Sequence, residues 1–302
     1  MSGVDFVPGP VRVTVPATSA NLGPGFDSLG LALDLRDEHE AQVLASGLVV
    51  EVSGEGEGQV PLDESHLVVQ AMRLAFEAMG AEPSGLRLTC RNVIPHARGL
   101  GSSSAAIVAG LGLARALVID GTHRLDDDAL FALAAGIEGH PDNVAPAVYG
   151  GFVICGRDSE GYYAVDSPVD QSIGAVAFIP PHGLSTEAAR GLLPATVPHA
   201  DAAADAGRSA LLVRSLAGAT EQLWRGTADY LHQEYRRVAM PETLTLIDEL
   251  RADRVGAFVS GAGPTVLAFH TDSASAPSLL SRAPLGWRAL ALTLDTTGLR
   301  VG

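Results

Sequence analysis

The chain has 302 residues, 47% of them apolar and 18% charged, which supplies enough apolar material for a sizeable core and excludes a disordered tail. Its 20 basic residues stand against 35 acidic ones, a net charge of −15, and every basic residue is arginine. That balance argues against a broad nucleic-acid surface, and the lack of lysine excludes a Walker A loop, a pyridoxal Schiff base and an S-x-x-K acyl enzyme.

Cys90 and Cys155 are too few for a disulfide framework or a cysteine-rich zinc site, and read as small buried hydrophobes. Residues 1–10 lack the basic and apolar regions of a signal peptide. The longest strongly apolar run, 105–114, falls well short of the ~20 residues a membrane span needs. The expectation is a soluble, cytoplasmic protein of about two domains, with no membrane or nucleic-acid partner.

In chain order, residues 11–15 alternate and are β-branched, which predicts a strand; 29–35, 40–45 and 48–52 continue in that style. The glycine–glutamate run at 54–58 predicts a turn, since two glutamates would repel a phosphate. Apolar positions recurring at three and four predict a helix over 65–79. A strand is expected at 86–94, then a helix over 102–118 that is small and apolar nearly all round and therefore buried. Asp126, Asp127 and Asp128 open a further helix over 129–137, where acidic residues suit the N-terminus. Strands are expected at 151–155 and 175–179, a helical block over 200–232, and strands at 256–260, 266–270 and 287–294. The order is α+β rather than a regular βαβ wind, with a boundary near 160–175.

Four segments carry chemistry. Gly99-Leu100-Gly101-Ser102-Ser103-Ser104 follows a predicted strand and opens the buried helix. Free N–H groups and about half a positive charge at a helix N-terminus suit a phosphate, although a serine-capped helix after a tight turn would read the same way. Glu138-Gly139-His140-Pro141-Asp142-Asn143 packs two carboxylates, an imidazole and an amide into six residues. Hard carboxylates suit Mg²⁺ rather than zinc; alternatively, Asp142 or Asn143 caps a helix over 144–148. The loop from Thr18 to Asp27 offers Asn21 and Asp27 to a ligand with an ammonium group, and Ser260-Gly261-Ala262-Gly263-Pro264-Thr265 is a second glycine-rich turn. Each of these two could be only a turn. Taken together, the segments suggest nucleotide chemistry in which Mg²⁺, arginine and oriented N–H groups replace lysine.

The same segments, in this order over about residues 11–270, resemble the motifs of the GHMP kinases, and most closely those of the homoserine kinase branch. Ala20-Asn21-Leu22-Gly23-Pro24-Gly25-Phe26-Asp27 and Glu138-Gly139-His140-Pro141-Asp142-Asn143-Val144-Ala145-Pro146 are the specific ones. The resemblance implies a ribosomal-S5-like N-terminal domain over 1–170 and a ferredoxin-like C-terminal domain over 171–302. It implies phosphorylation of the L-homoserine hydroxyl by Mg-ATP in threonine biosynthesis, with a homodimer as a family-level expectation. Another GHMP small-molecule kinase, or a non-catalytic regulatory relative, is the alternative.

By that resemblance, Pro95, His96, Ala97, Arg98, Gly99, Leu100, Gly101, Ser102, Ser103, Ser104 and Ala105 form the ATP phosphate loop. Ser103 and Glu138 would hold Mg²⁺. Asn21, Asp27, His140 and Asn143 would meet homoserine, with Asp27 on its ammonium and Arg190 and Arg236 on its carboxylate. A guanidinium fork suits a carboxylate. His66 stands where the family often has an Asn that meets adenine; imidazole can also donate or accept. Mevalonate-type relatives pair an Asp with a Lys. This chain has none, so Asp142 either accepts the hydroxyl proton or only orients the hydroxyl, while Asn143 hydrogen-bonds without acting as a base.

Overall fold

The computed structural model describes residues 4–302. β1 (Val11–Asn21) and β2 (Gly25–Val43) form a long antiparallel hairpin. Val11, Val13 and Val15 point inward while Arg12 and Thr14 do not, and beyond Val15 both faces are covered. The two strands expected at 29–35 and 40–45 are one strand. Its middle looks broken in sequence because polar residues there turn inward onto partners. Arg36 ion-pairs with Asp295, and the buried Asp37 carboxylate accepts from the Val93 and Ile94 N–H groups. The register shifts where Pro16, which has no N–H for the ladder, gives way to Ala17.

β3 (Gly47–Gly54) lies parallel to β4 (Gly85–Asn92), with α1 (Leu67–Met79) in the crossover between them. The expected start of this helix at 65 moves to 67, because the His66 side chain accepts from the Val68 N–H and caps it. α2 (Ser102–Leu117) is buried almost all round, as its composition requires. After the short α3 (Gly121–Arg124), α4 (Asp127–Glu138) begins at the acidic run, and all three carboxylates have structural work. Asp126 caps the Ala129 N–H, Asp127 pairs with Arg115 and Asp128 takes the Tyr149 hydroxyl.

α5 (Pro141–Tyr149) starts three residues earlier than the expected helix over 144–148. Proline, with no N–H to leave unpaired, suits the first helical position. Asp142 and Asn143 therefore lie inside the first turn and do not cap it. β5 (Phe152–Asp158) pairs with β2 and with β6 (Gly161–Ser167), an edge strand absent from the expected elements.

A second, four-stranded antiparallel sheet begins at β7 (Gly174–Ile179). α6 (Thr186–Gly191) and α7 (His199–Leu216) follow. The helical block expected over 200–232 is broken: the chain turns at Gly218, makes only the short α8 (Leu223–Gly226), and turns again at Asp229. The buried Asp229 carboxylate collects the N–H groups of Leu231, His232 and Gln233, so these residues cannot continue a helix. α9 (Pro241–Ala252) packs its Leu244, Ile247 and Leu250 against β8 (Ala257–Val259) and β9 (Val266–His270).

α10 (Ala276–Leu280) and β10 (Arg288–Leu292) complete this half, and the expected strand over 287–294 ends at 292. The chain then crosses back. β11 (Arg300–Val301) pairs with β1, making the first sheet seven-stranded. Two hydrophobic clusters result, a large one around the first sheet and its helices and a smaller one around α9. Among the described residues, no helix is long and apolar enough to cross a membrane.

Candidate active site

The glycine-rich segment before α2 is held from three sides. The Leu100 carbonyl accepts from the Thr18 N–H at 3.1 Å. Ser260 Oγ donates to the Gly99 carbonyl at 2.6 Å and lies 2.8 Å from Ser19 Oγ. Arg98 places its guanidinium on the carbonyls of His96, Pro180 and Pro181. Gly99 and Gly101 have φ of +76° and +69°, and a Cβ on either would overlap Ser260 O or Thr18 Oγ1. No side chain caps α2, so the N–H groups of its first turn face outward.

That turn opens on a cavity of about 310 Å³ lined by Gly99, Gly101, Ser102, Ser103, Glu138, Asp142, Asn143, Arg190 and Arg236, among others. Ser103 Oγ donates to Glu138 Oε1 at 2.8 Å. Burial raises the Glu138 carboxyl above its ordinary range, against that hydrogen bond. A half-buried carboxylate beside a hydroxyl at the cavity wall is a hard-oxygen pair, and it suits Mg²⁺ that also takes phosphate oxygens. Among the described residues, no group of three or more His, Cys, Asp or Glu is placed to hold a metal ion.

Asp142 is almost wholly buried in the same wall. Burial, reinforced by the charge of Asp27, pushes its carboxyl up to about 7, with Arg190 opposing. Asn143 Oδ1 accepts from Thr18 Oγ1 at 2.9 Å, which fixes the amide's orientation. His140 lines the cavity and is driven toward its neutral form by burial and then by Arg190.

The amino-acid side is a pair of arginines around an aromatic ring. Asp27, in the left-handed region at φ +54°, pairs with Arg190 at 2.5 and 3.3 Å. Phe26 lies under both guanidiniums, 5.3 Å from Arg190 Cζ and 5.8 Å from Arg236 Cζ. Burial lowers Arg236 to about 10, so it keeps its charge at neutral pH. Asn21 Nδ2 donates to the Gly261 carbonyl at 2.9 Å, and Asn21 Oδ1 accepts the Asp27 N–H at 3.0 Å. The loop between β1 and β2 is thereby fastened to the turn at 260–265.

A second cavity of about 290 Å³ lies on the other side of Ser102 and Ser103, which line both. It is mostly apolar, with Asp37, His39, His66, Asn92 and His96 in its wall. His66 Nδ1 accepts from the Val68 N–H, so its proton sits on Nε2 as a donor. Burial lowers the His66 pKa, with His96 adding to it, and the ring stays neutral. His39 is wholly buried, burial pushes it to about 4, and neither ring nitrogen has a partner among the described residues.

Of the sequence-predicted residues, Asn21, Ala97, Gly99, Gly101, Ser102, Ser103, Glu138, His140, Asp142, Asn143, Arg190 and Arg236 line the first cavity. Asp27 joins them through Arg190, and His66 and His96 line the second. Pro95, Arg98, Leu100, Ser104 and Ala105 line neither; Leu100, Ser104 and Ala105 are buried behind the loop, and Arg98 anchors it to the Pro180 and Pro181 carbonyls. Thr18, Phe26 and Ser260 lie inside segments that the sequence marks without giving them individual roles, and nothing local marks His232.

The model of the GHMP kinases N terminal domain matches residues 66–151, and that of the GHMP kinases C terminal domain matches residues 208–288. The chain belongs to the GHMP kinases. It is 52% identical to a homoserine kinase of Streptomyces avermitilis, over 100% of this chain and 98% of that one. It is 44% identical to a homoserine kinase of Corynebacterium diphtheriae, over 96% of each. The crystal structure of homoserine kinase from Cytophaga hutchinsonii superposes with a TM-score of 0.85 at 27% identity, covering 97% of both chains. Mevalonate diphosphate decarboxylase from Staphylococcus aureus shares the fold, with a TM-score of 0.66 at 15% identity and coverage of 97% and 98%.

Proposed function

We propose that the chain transfers the γ-phosphoryl group of ATP to the side-chain hydroxyl of L-homoserine, giving O-phospho-L-homoserine and ADP. The observation that carries this reading is that two cavities meet at the uncapped N-terminus of α2, one mostly apolar and one built from paired charges. The first fits a base and the second a zwitterionic acceptor, with phosphates crossing between them at Ser102 and Ser103.

In this reading, His66 Nε2 donates to a ring nitrogen of the base, doing what a side-chain amide does in relatives. The N–H groups of the first turn of α2 take the phosphates. Ser103 and Glu138 would hold Mg²⁺, which when bound neutralises phosphate charge. Asp27 takes the acceptor's ammonium, while Arg190 and Arg236 take its carboxylate. The acceptor must therefore displace part of the Asp27–Arg190 pair, replacing one charge contact with two. Asn143, its amide fixed by Thr18, orients the hydroxyl.

The hydroxyl oxygen attacks the γ-phosphorus as the bond to the ADP oxygen breaks, and Asp142 takes the proton. A carboxyl pushed up to about 7 is matched to that task near neutral pH. Positioning and charge stabilisation carry most of the rate. The same reading carries a homodimer in the cytoplasm, acting in threonine biosynthesis.

A coupled ADP-release assay with Mg-ATP tests it, comparing L-homoserine with mevalonate, shikimate, L-serine and no acceptor. Turnover that requires homoserine, at about 1–10³ per second, is expected. Equal ADP release without an acceptor, or a preference for mevalonate, would reject it.

A further inference from the structure

Arg236 is almost completely buried, and most of its guanidinium is already engaged. Nε donates to the Ala189 carbonyl at 3.3 Å. Nη1 donates to the Gly261 carbonyl at 3.3 Å and meets His232 Nδ1 at 2.9 Å. Nη2 makes no hydrogen bond among the described residues and is left for the cavity that Arg236 lines.

The partners assign the tautomer of His232. An arginine N–H can only donate, so Nδ1 must accept. The ring proton therefore sits on Nε2, which donates to the Gly23 carbonyl at 2.8 Å and lies 3.5 Å from Asp229 Oδ1. Gly23 belongs to the loop between β1 and β2, just ahead of Phe26 and Asp27 at the start of β2. The ring itself packs against Phe26, with centroids 5.3 Å apart. The turn that presents it is held by the buried Asp229 carboxylate, which takes the His232 N–H at 3.1 Å. One imidazole thus joins Arg236 in the cavity wall to the loop that leads into Phe26 and Asp27.

We propose that His232 is a positioning residue for acceptor binding: it clamps Nη1 of Arg236 against the Gly23 loop, so that Nη2 is held ready for the acceptor's carboxylate. This rests on the reading that Arg236 meets that carboxylate. A wild-type chain without homoserine-dependent turnover would sink that reading, whereas the outcomes below bear on His232 alone.

Two amides separate the two ring nitrogens. Asparagine puts a carbonyl oxygen near the place of Nδ1 and can still accept from Arg236. Glutamine puts an N–H near the place of Nε2 and can still donate to Gly23, but offers Arg236 nothing. His232→Gln is expected to raise the homoserine KM about tenfold, as for the loss of one charge-assisted hydrogen bond, with kcat and the ATP KM within about twofold of wild type. His232→Asn should bring the homoserine KM back to within about threefold. In the Arg236→Met background, His232→Gln should add less than about twofold, because its only route to the substrate is gone.

Homoserine and ATP KM rising together, Asn proving as poor as Gln, or the full penalty persisting on Arg236→Met would each overturn the proposal. Melting temperatures measured alongside show that the compared variants are folded. If the Gln variant fails to fold, His232→Phe, which keeps the ring against Phe26, takes its place with the same expected split.

Discussion

Replacing Gly101 by alanine tests the tightest contact in the phosphate loop. The residue sits at φ +69°, where an L side chain is strained by about 1–2 kcal/mol. The new Cβ would stand 1.9 Å from Thr18 Oγ1 and 3.2 Å from Asn143 Oδ1. Thr18 is wholly buried, so its hydroxyl has no free space to enter. It must swing off Asn143, and the half-buried amide oxygen losing its donor costs about 0.5–1.5 kcal/mol. The expected loss of stability is about 1.5–3.5 kcal/mol, read from urea unfolding, with a fall in kcat/KM for both substrates. Thr18→Ala removes the obstructing hydroxyl. The double variant should therefore lose clearly less stability relative to Thr18→Ala than Gly101→Ala loses relative to wild type. A single variant within about 0.5 kcal/mol of wild type, or strict additivity in the double, would refute the reasoning.

Glu138→Gln keeps the shape but removes the charge beside Ser103, so kcat should fall by at least about a hundredfold and the Mg²⁺ needed for half-maximal rate should rise; near-normal turnover at ordinary Mg²⁺ would remove the residue from that role. With Asp142 as the base, kcat/KM for homoserine should fall as the pH drops through about 7 and level off above it, and Asp142→Asn should lose both rate and that limb in initial-rate measurements. The sign for stability is opposite: the unfolded carboxyl ionises near 3.9 and the folded one near 7, so this group should make unfolding harder as the pH falls from 7 toward 4, and denaturant titrations of Asp142→Asn should lose that slope. Arg36→Ala strips an ion-pair partner from the fully buried Asp295 that anchors the returning C-terminal segment, and should cost about 3 kcal/mol in urea unfolding; a change below about 1 kcal/mol would show that the Thr297 and Gly298 N–H groups and Arg300 suffice.

What could be read from the chain itself was local. The period of residues 65–79, the all-round apolarity of α2 and the acidic start of α4 follow from side-chain spacing and helix ends, which act within a few residues. The glycine–serine loop and the Glu138–Asn143 segment were legible for the same reason, and the order of motifs was enough to identify the GHMP kinases. Errors fell where tertiary contacts override local pattern. β2 carries inward polar residues because Asp295 and the backbone beyond β4 receive them, and the helical block after α7 breaks because Asp229 prefers the N–H groups of its own turn.

Only the tertiary structure decided which distant groups meet. Thr18 reaches Asn143 across 125 residues, Asn21 reaches Gly261 across 240, and His232 reaches Gly23 across 209. No periodicity encodes such pairs, because each joins residues far apart in the chain that only packing brings together: Thr18 of β1 with Asn143 of α5 in the first half, and Asn21 and Gly23 with turns of the second half. The same reason explains the two kinds of residue in the phosphate segment. Composition marks the whole run as a phosphate loop, but the way the turn at 260–265 packs against Gly99 sends Ser102 and Ser103 to the cavities and Leu100, Ser104 and Ala105 to the supporting layer.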